Sequence, residues 1–184
     1  IKYKGKNKKY DCIIGLSGGV DSSWALLKAV ELGLKPLAVH MDNGWNTELA
    51  QQNIHNIVDK LNVDLFTHVI DWEEYKSLQK TFFKANVIDI ELLYDNALAK
   101  VNYKKANDYG INYILSGSNI STEGMEMPDN WAWKNKHDLS NIKDIFKKFN
   151  GTSFPKTFPG FGFFDSLVYR AKGIRWVPFL NYLD

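Results

Sequence analysis

The stretch Asp11-Cys12-Ile13-Ile14-Gly15-Leu16-Ser17-Gly18-Gly19-Val20-Asp21-Ser22-Ser23 decides the fold. Its first six residues form a short, mostly apolar run, the pattern of a strand buried on both faces. Ser17-Gly18-Gly19 reads as a turn. Val20 to Leu32 reads as a helix, with Trp24, Ala25, Leu27 and Leu32 interleaved and Gly33 where a C-terminal cap belongs. A buried strand that turns through two glycines straight into a helix is the opening unit of a parallel sheet.

Outward from that unit the pattern repeats. Pro36 to Met41 is a second buried strand, broken by Asp42-Asn43-Gly44. Asn46 is expected to cap the next helix, with Glu48 in its first turn and Leu49, Ile54, Ile57, Val58 and Leu61 on one face. Leu65 to Ile70 is a third strand. Helices are expected over 72–85 and 90–109, the second stopped by Gly110, and Asn112 to Ser116 is a fourth strand. Such alternation predicts an α/β fold: a doubly wound, mainly parallel sheet with helices on both faces. After Ser116 the regularity ends. Residues 117–136 read as a long loop and Asp138 to Phe149 as a short helix. Residues 151–162 are rich in Pro, Gly and Phe, and the remainder is apolar and helical in pattern. The expected organisation is a basic N-terminal segment (1–10), a core (11–123), and a substrate loop with an irregular, helical C-terminal segment (124–184) of the same domain. Ile1 is not an initiator Met and Asp184 follows an apolar stretch, so a longer parent chain is expected.

Composition narrows the classes. The 184 residues are 45% apolar and 24% charged, which excludes a disordered chain. Lys+Arg 23 against Asp+Glu 21 leaves a net charge of only +2, which argues against a nucleic-acid partner. The single cysteine, Cys12, supplies neither a disulfide framework nor a metal cluster. No apolar run approaches the roughly 18 residues of a membrane span and no signal peptide is visible, so a cytoplasmic protein without a membrane partner is expected.

In open α/β sheets, ligands sit beyond the carboxyl ends of the strands. Unusual residues stand at three such ends: Ser17 to Ser23, Asp42-Asn43-Gly44, and Ser116-Gly117-Ser118-Asn119. In the first, two glycines admit a ligand to the backbone, a helix N-terminus offers free N–H donors, and Ser17, Ser22 and Ser23 add hydroxyls. That is an anion cradle of phosphate size. Asp21 in its midst would repel bare phosphate, and Mg²⁺ between them removes the conflict, so the expected ligand is a Mg-bound polyphosphate. A Walker loop is excluded by the missing Lys, and a dinucleotide fingerprint by the spacing of Gly15, Gly18 and Gly19. Gly15-Leu16-Ser17-Gly18-Gly19 also fits the hydrolase elbow G-x-S-x-G. That elbow normally follows several strands, however, and only sixteen residues precede Ser17.

Ser17-Gly18-Gly19-Val20-Asp21-Ser22 resembles the SGG-x-DS loop of the PP-loop ATP pyrophosphatases, α/β proteins of the adenine nucleotide alpha-hydrolase type that split ATP between its α and β phosphates. The resemblance covers about residues 11–123. It implies that Ser17, Gly18, Gly19, Val20, Asp21 and Ser22 hold the pyrophosphate. It further implies that Val39, His40 and Met41 mark the adenine side, and that Gly117 and Ser118 also border the nucleotide. For His40 alone a structural role is the stronger expectation. Within this superfamily the chain is most similar to the N-acetyl sugar amidotransferases of lipopolysaccharide O-antigen and flagellin-glycan biosynthesis. The segments that carry this likeness are Leu37 to Asn46, Val69 to Glu74, Tyr113 to Gly124, Asn141-Ile142-Lys143 and Leu180 to Asp184. These enzymes turn the acetamido group of a nucleotide-activated sugar into an acetamidino group. Their ammonia comes from a partner glutaminase resembling the histidine-biosynthesis pair.

The resemblance implies ATP and Mg²⁺ as cofactors, Ser17, Asp21 and Asp42 as catalytic, and Asp21 with Glu123 as magnesium ligands. NAD synthetases, also PP-loop enzymes, place a metal-binding Glu a similar distance beyond a comparable glycine. Zinc is implied only through a cysteine-rich segment that precedes the loop in the family and is not among these residues. Trp131 and Trp133 are expected in a lid or sugar platform, or as anchors of the loop. Arg170 and Arg175, the only arginines, are expected on a phosphate or a sugar carboxylate, or in ion pairs. Two other readings stay open. One is a tRNA-thiolating PP-loop enzyme, with the lysines of the N-terminal segment and Lys134, Lys136, Lys143, Lys147 and Lys148 following a phosphate backbone. The other is a non-catalytic ATP-binding module.

Overall fold

A computed structural model describes residues 1, 8–124 and 135–183, the side chains of 122 and 123 excepted. The elements run β1 (Cys12–Gly15), α1 (Val20–Glu31), β2 (Pro36–Asp42), α2 (Glu48–Leu61), β3 (Leu65–Val69), α3 (Trp72–Lys84) and α4 (Leu92–Asp108). They continue with β4 (Tyr113–Ser116), α5 (Ile120–Glu123), α6 (Leu139–Phe149), α7 (Phe163–Ala171), β5 (Arg175–Pro178) and a closing 3₁₀ turn, Phe179–Tyr182. No helix among the described residues is long and apolar enough to cross a membrane.

The five strands are parallel and ordered β3-β2-β1-β4-β5. The doubly wound α/β reading therefore holds. Strand side chains alternate between two cores, as the period of two requires. Ile13, Leu37, Val39, Met41 and Ile114 pack with Leu78 and Phe82 of α3, Leu93 and Ala97 of α4, and Ile142 and Phe146 of α6. Cys12, Ile14, Leu16, Ala38 and Leu115 pack with Ala25, Leu26 and Ala29 of α1, Ile54 and Val58 of α2, and Phe179. Burial of both faces is why β1 and β2 read as unbroken apolar runs.

The structure departs from expectation in several places, one of them the short helix α5 inside the expected loop 117–136. Thr47, not Asn46, caps α2, its hydroxyl accepting from Ala50 N at 3.1 Å, because Asn46 turns back toward β2. Leu49 is 70% exposed, since it lies in the first turn beyond the buried stripe of Ile54 and Val58. β3 is only half-buried, as befits an edge strand. The tail is not helical throughout: Arg175–Pro178 is the fifth strand, paired to β4 from Tyr113↔Arg175 to Ser116↔Pro178. A proline at the end of an edge strand removes no bond that the sheet needs.

Candidate active site

The strand order reverses between β1 and β4, and a crevice opens there beyond their carboxyl ends. A cavity of about 280 Å³ occupies it, walled by Ser17, Gly19, Val20, Asp21 and Ser22 on one side and Ser116, Gly117 and Ser118 on the other. Tyr94 and Leu98 of α4 and Trp176 of β5 complete the wall. Two of the three strand ends singled out in the sequence therefore meet in one site.

The loop after β1 is held by its own hydroxyls. Ser22 Oγ accepts from Ser17 N at 3.2 Å and lies 3.1 Å from Ser17 Oγ, while it donates to Gly19 O at 3.2 Å. Gly19 is the N-cap of α1 and brings no side-chain cap, so the first-turn amides are left for a ligand. Gly18 sits at φ +81°, the left-handed region that glycine tolerates, and a Cβ there would overlap the Ala50 carbonyl of α2. Asn53, also on α2, donates to Gly18 O at 3.1 Å. From the β4 side, a Cβ on Gly117 would lie 2.8 Å from Asp21 C and Ser22 N. Backbone meets backbone on both flanks of the cradle.

The second strand end is occupied by a polar bracket. His40 is buried and donates from Nδ1 to Leu16 O at 2.9 Å, tying β2 to β1. Its Nε2 thereby becomes an acceptor, and Asn46 Nδ2 lies 3.3 Å from it. Asp42 Oδ1 accepts from Gly44 N at 2.9 Å and Asn46 Nδ2 at 3.1 Å, closing the turn after β2. The side chains of Val39 and Met41 are fully buried in the core and none of the three lines the cavity. What this strand end turns outward is the edge-to-face pair Trp45–Trp72, at 5.2 Å.

Asp21, half-buried, borders the cavity beside the loop hydroxyls. Among the described residues no group of three or more His, Cys, Asp or Glu could hold a metal by itself. One carboxylate in a phosphate cradle suits Mg²⁺, which takes its remaining ligands from phosphate and water. Glu123 ends α5, whose first amide, Ile120 N, donates to Asn181 Oδ1 at 2.8 Å. The Glu123 side chain, Trp131, Trp133 and Lys134 lie outside the described residues.

Cys12 is fully buried and its thiol is pushed up to about 12 by burial, so it offers no thiolate for sulfur transfer or glutamine hydrolysis. Lys136 is paired with Asp95 and with Asp89 at 3.6 Å rather than free for a phosphate backbone. Arg170 and Arg175 do not border the β1/β4 cavity; both line a neighbouring one. Sequence reasoning missed Tyr94, Leu98, Asn53 and Trp176. Tyr94 and Leu98, four apart on α4, look like core positions, Asn53 lies on the polar face of α2, and Trp176 belongs to the unforeseen strand.

The model of a protein family described as NAD synthase matches residues 2–148. The chain is also similar to a solved structure of the glutamine-dependent NAD+ synthetase of Acinetobacter baumannii in complex with ADP. The TM-score is 0.53 at 18% identity, over 86% of this chain and 32% of that one. An NMN synthetase from Francisella tularensis gives TM-score 0.47 at 18% identity, over 92% and 77% of the two chains. An NH3-dependent NAD synthetase from Campylobacter jejuni gives 0.49 at 18%, over 83% and 73%. The chain spans about a third of the length of the Acinetobacter enzyme. None of the curated proteins compared with it matches.

Proposed function

Because the chain belongs to the NAD synthase family, we propose that it is an ATP-using, C–N bond-forming enzyme that releases AMP and pyrophosphate. The observation that most supports this is the Lys-free glycine loop opening α1 with the Gly117 loop packed on its first turn, both bordering one crevice. In this reading Ser17, Gly18, Gly19, Val20 and Ser22 bind the departing pyrophosphate, with Gly117 and Ser118 as the far wall. Asp21 with Glu123 would hold Mg²⁺, which would supply neutralising charge as pyrophosphate leaves. Asp42, through Gly44 and Asn46, positions the turn after β2, and Val39, His40 and Met41 carry the backbone that borders the adenine.

The finer reading is an N-acetyl sugar amidotransferase. An amide oxygen is a poor leaving group. Its attack on the α-phosphorus of ATP forms an O–P bond and breaks the bond to pyrophosphate. The resulting imidoyl adenylate is then attacked by ammonia, and AMP departs with the former amide oxygen. The product is an acetamidino sugar. Water competes with ammonia for the adenylate, so the site must exclude it. Tyr94, Leu98 and Trp176 give the cavity an apolar side suited to that task. Ammonia would come from a separate glutaminase partner, since Cys12 is no nucleophile, and the setting would be cytoplasmic.

The test is incubation with ATP, Mg²⁺, ammonium and a set of nucleotide-linked N-acetyl sugars, read by nucleotide chromatography and mass spectrometry. AMP with pyrophosphate, and a sugar product with NH in place of O, are expected. ADP with orthophosphate overturns the assignment. AMP formation with no sugar altered overturns the sugar and leaves the AMP-forming reading standing.

A further inference from the structure

A second cavity, about 410 Å³, lies on the β5 side of the sheet and is lined by Tyr103, His137, Phe161, Ser166, Arg170, Ile174, Arg175 and Trp176. Trp176 lines both this cavity and the one between β1 and β4. The chain's two arginines thus converge on a single pocket that adjoins the proposed phosphate cradle.

Neither guanidinium forms an ion pair among the described residues. The nearby carboxylates are committed elsewhere: Asp165 to Lys100 and to Gly162 N at 3.0 Å, and Asp108 to Lys104 at 2.9 Å and Lys105 at 3.8 Å. Both arginines are exposed, and two Arg forks lining one pocket with no protein carboxylate on them among the described residues suit a doubly charged, oxygen-rich anion such as a diphosphate. His137 adds no fixed charge: its ring lies 4.6 Å from Phe161, and partial burial pushes its pKa below the ordinary value. Much of the remaining lining is aromatic. Tyr103 stands 5.3 Å from Phe161 and 6.1 Å from Trp176, between ring centroids. A pocket lined by two arginines and by aromatic rings has the two kinds of contact that a nucleotide's anion and base require. Its volume is within the roughly 300–1,000 Å³ range of small-molecule sites.

We propose that this cavity binds the nucleoside diphosphate portion of the second substrate, with Arg170 and Arg175 on the phosphates. Trp176, at the boundary between the cavities, separates that anchor from the reacting group at the cradle. The inference rests on the reading that an ATP-derived adenylate is formed next door. It adds where the acceptor is held and by which residues.

The probe is UDP, titrated calorimetrically into the full chain alone and into the chain saturated with α,β-methylene-ATP and Mg²⁺. UDP is expected to bind in both cases. Arg170→Ala/Arg175→Ala together should weaken it by about tenfold or more, the scale of a lost charge-assisted hydrogen-bond donor. The double Arg→Lys variant should fall between, because Lys keeps the charge and loses the fork. Affinity for α,β-methylene-ATP should not change in either variant, which also reports an intact fold. Glucuronic acid, a carboxylate without phosphate, should bind more weakly than UDP; equal binding would replace diphosphate by carboxylate and overturn the proposal. Absence of UDP binding, displacement of UDP by the ATP analogue, or equal UDP affinity in wild type and double Ala variant would each overturn it too. Failure of the analogue itself to bind would instead overturn the adenylating reading, and the UDP arm on the unloaded chain would still decide this one.

Discussion

Gly18→Ala should dismantle the phosphate cradle, and the structure permits the cost to be divided into two parts. The first is conformational. Gly18 sits at φ +81°, where a residue with a Cβ costs about 1–2 kcal/mol. The second is steric. The new methyl would overlap the Ala50 carbonyl oxygen and lie 3.0 Å from Ala50 Cα, so it meets the backbone of α2 rather than a side chain that can swing away. Overpacking of this kind costs about 1–3 kcal/mol. Together the loss is about 2–5 kcal/mol, a large share of the about 5–15 kcal/mol that holds a typical domain. Two companion variants isolate the parts. Gly151 has φ +75° with nothing within 4 Å of its would-be Cβ, so Gly151→Ala should show only the conformational part. Gly117 has no positive φ but a 2.8 Å approach to Asp21 C and Ser22 N, so Gly117→Ala should show only the steric part. Urea unfolding gives the stabilities, and AMP release from ATP gives the activity. Gly18→Ala is expected to be the least stable of the three, with both cradle variants inactive and Gly151→Ala active. If Gly18→Ala costs no more than Gly151→Ala, α2 does not press on the loop and the reasoning fails.

Three further outcomes are expected. Asn53→Ala removes the only side-chain donor to Gly18 O among the described residues. It should lower stability by about 0.5–1.5 kcal/mol and raise KM for ATP more than it lowers kcat. His68 is half-buried, its Nε2 has no partner among the described residues, and burial pushes its pKa below the ordinary value against an opposing backbone hydrogen bond with Thr157, with Lys105 and Lys104 adding to the lowering. The unfolded chain therefore takes up a proton before the folded one does. Stability should be complete above about pH 6.5 and fall as pH drops, and His68→Leu should reduce the difference between unfolding midpoints at about pH 7.5 and about pH 5.5. Glu123→Gln should raise the Mg²⁺ concentration for half-maximal activity if that carboxylate holds the ion. An unchanged value with lower thermal stability would assign it to α5 instead.

Much of the fold was legible because β1, β2 and β4 are buried on both faces and α1 and α2 each bury a single face. β5 was not. Arg175-Trp176-Val177-Pro178 has a charge, a proline and four residues, and it becomes a strand only because β4 offers it an edge. The loop from Ser17 to Ser22 was legible as a cradle because its chemistry is local. The bracket of His40, Asn46 and Asp42 was not, since it depends on β2 reaching Leu16 O across the sheet. The same limit applies to Val39 and Met41. Their place in the chain suggested a ligand, and their alternation along a doubly covered strand puts the side chains in the core.

The contrast has a physical cause that bears on how the site works. The first turn of α1 is pressed from one flank by α2 at Gly18 and from the other by the β4 loop at Gly117, and both contacts are between main chains. Such contacts exclude Cβ atoms, so they leave glycines in the sequence at set offsets from a strand and are readable without neighbours. They also make the cradle a preformed part of the fold, positioned where pyrophosphate charge would develop and needing little rearrangement as the bond breaks. The second cavity, proposed for the acceptor, is built differently. Tyr103, Arg170, Arg175 and Trp176 come from α4, α7 and β5 and line one pocket only when the chain has closed. Side chains can be exchanged there without moving the sheet. Under the proposed function, a cradle fixed by backbone beside a pocket defined by side chains would allow an adenylating half-reaction to stay constant while the acceptor differs. On that account, changing Arg170 and Arg175 should raise KM for the acceptor or alter which acceptor is used, while the ATP that is consumed still yields AMP and pyrophosphate.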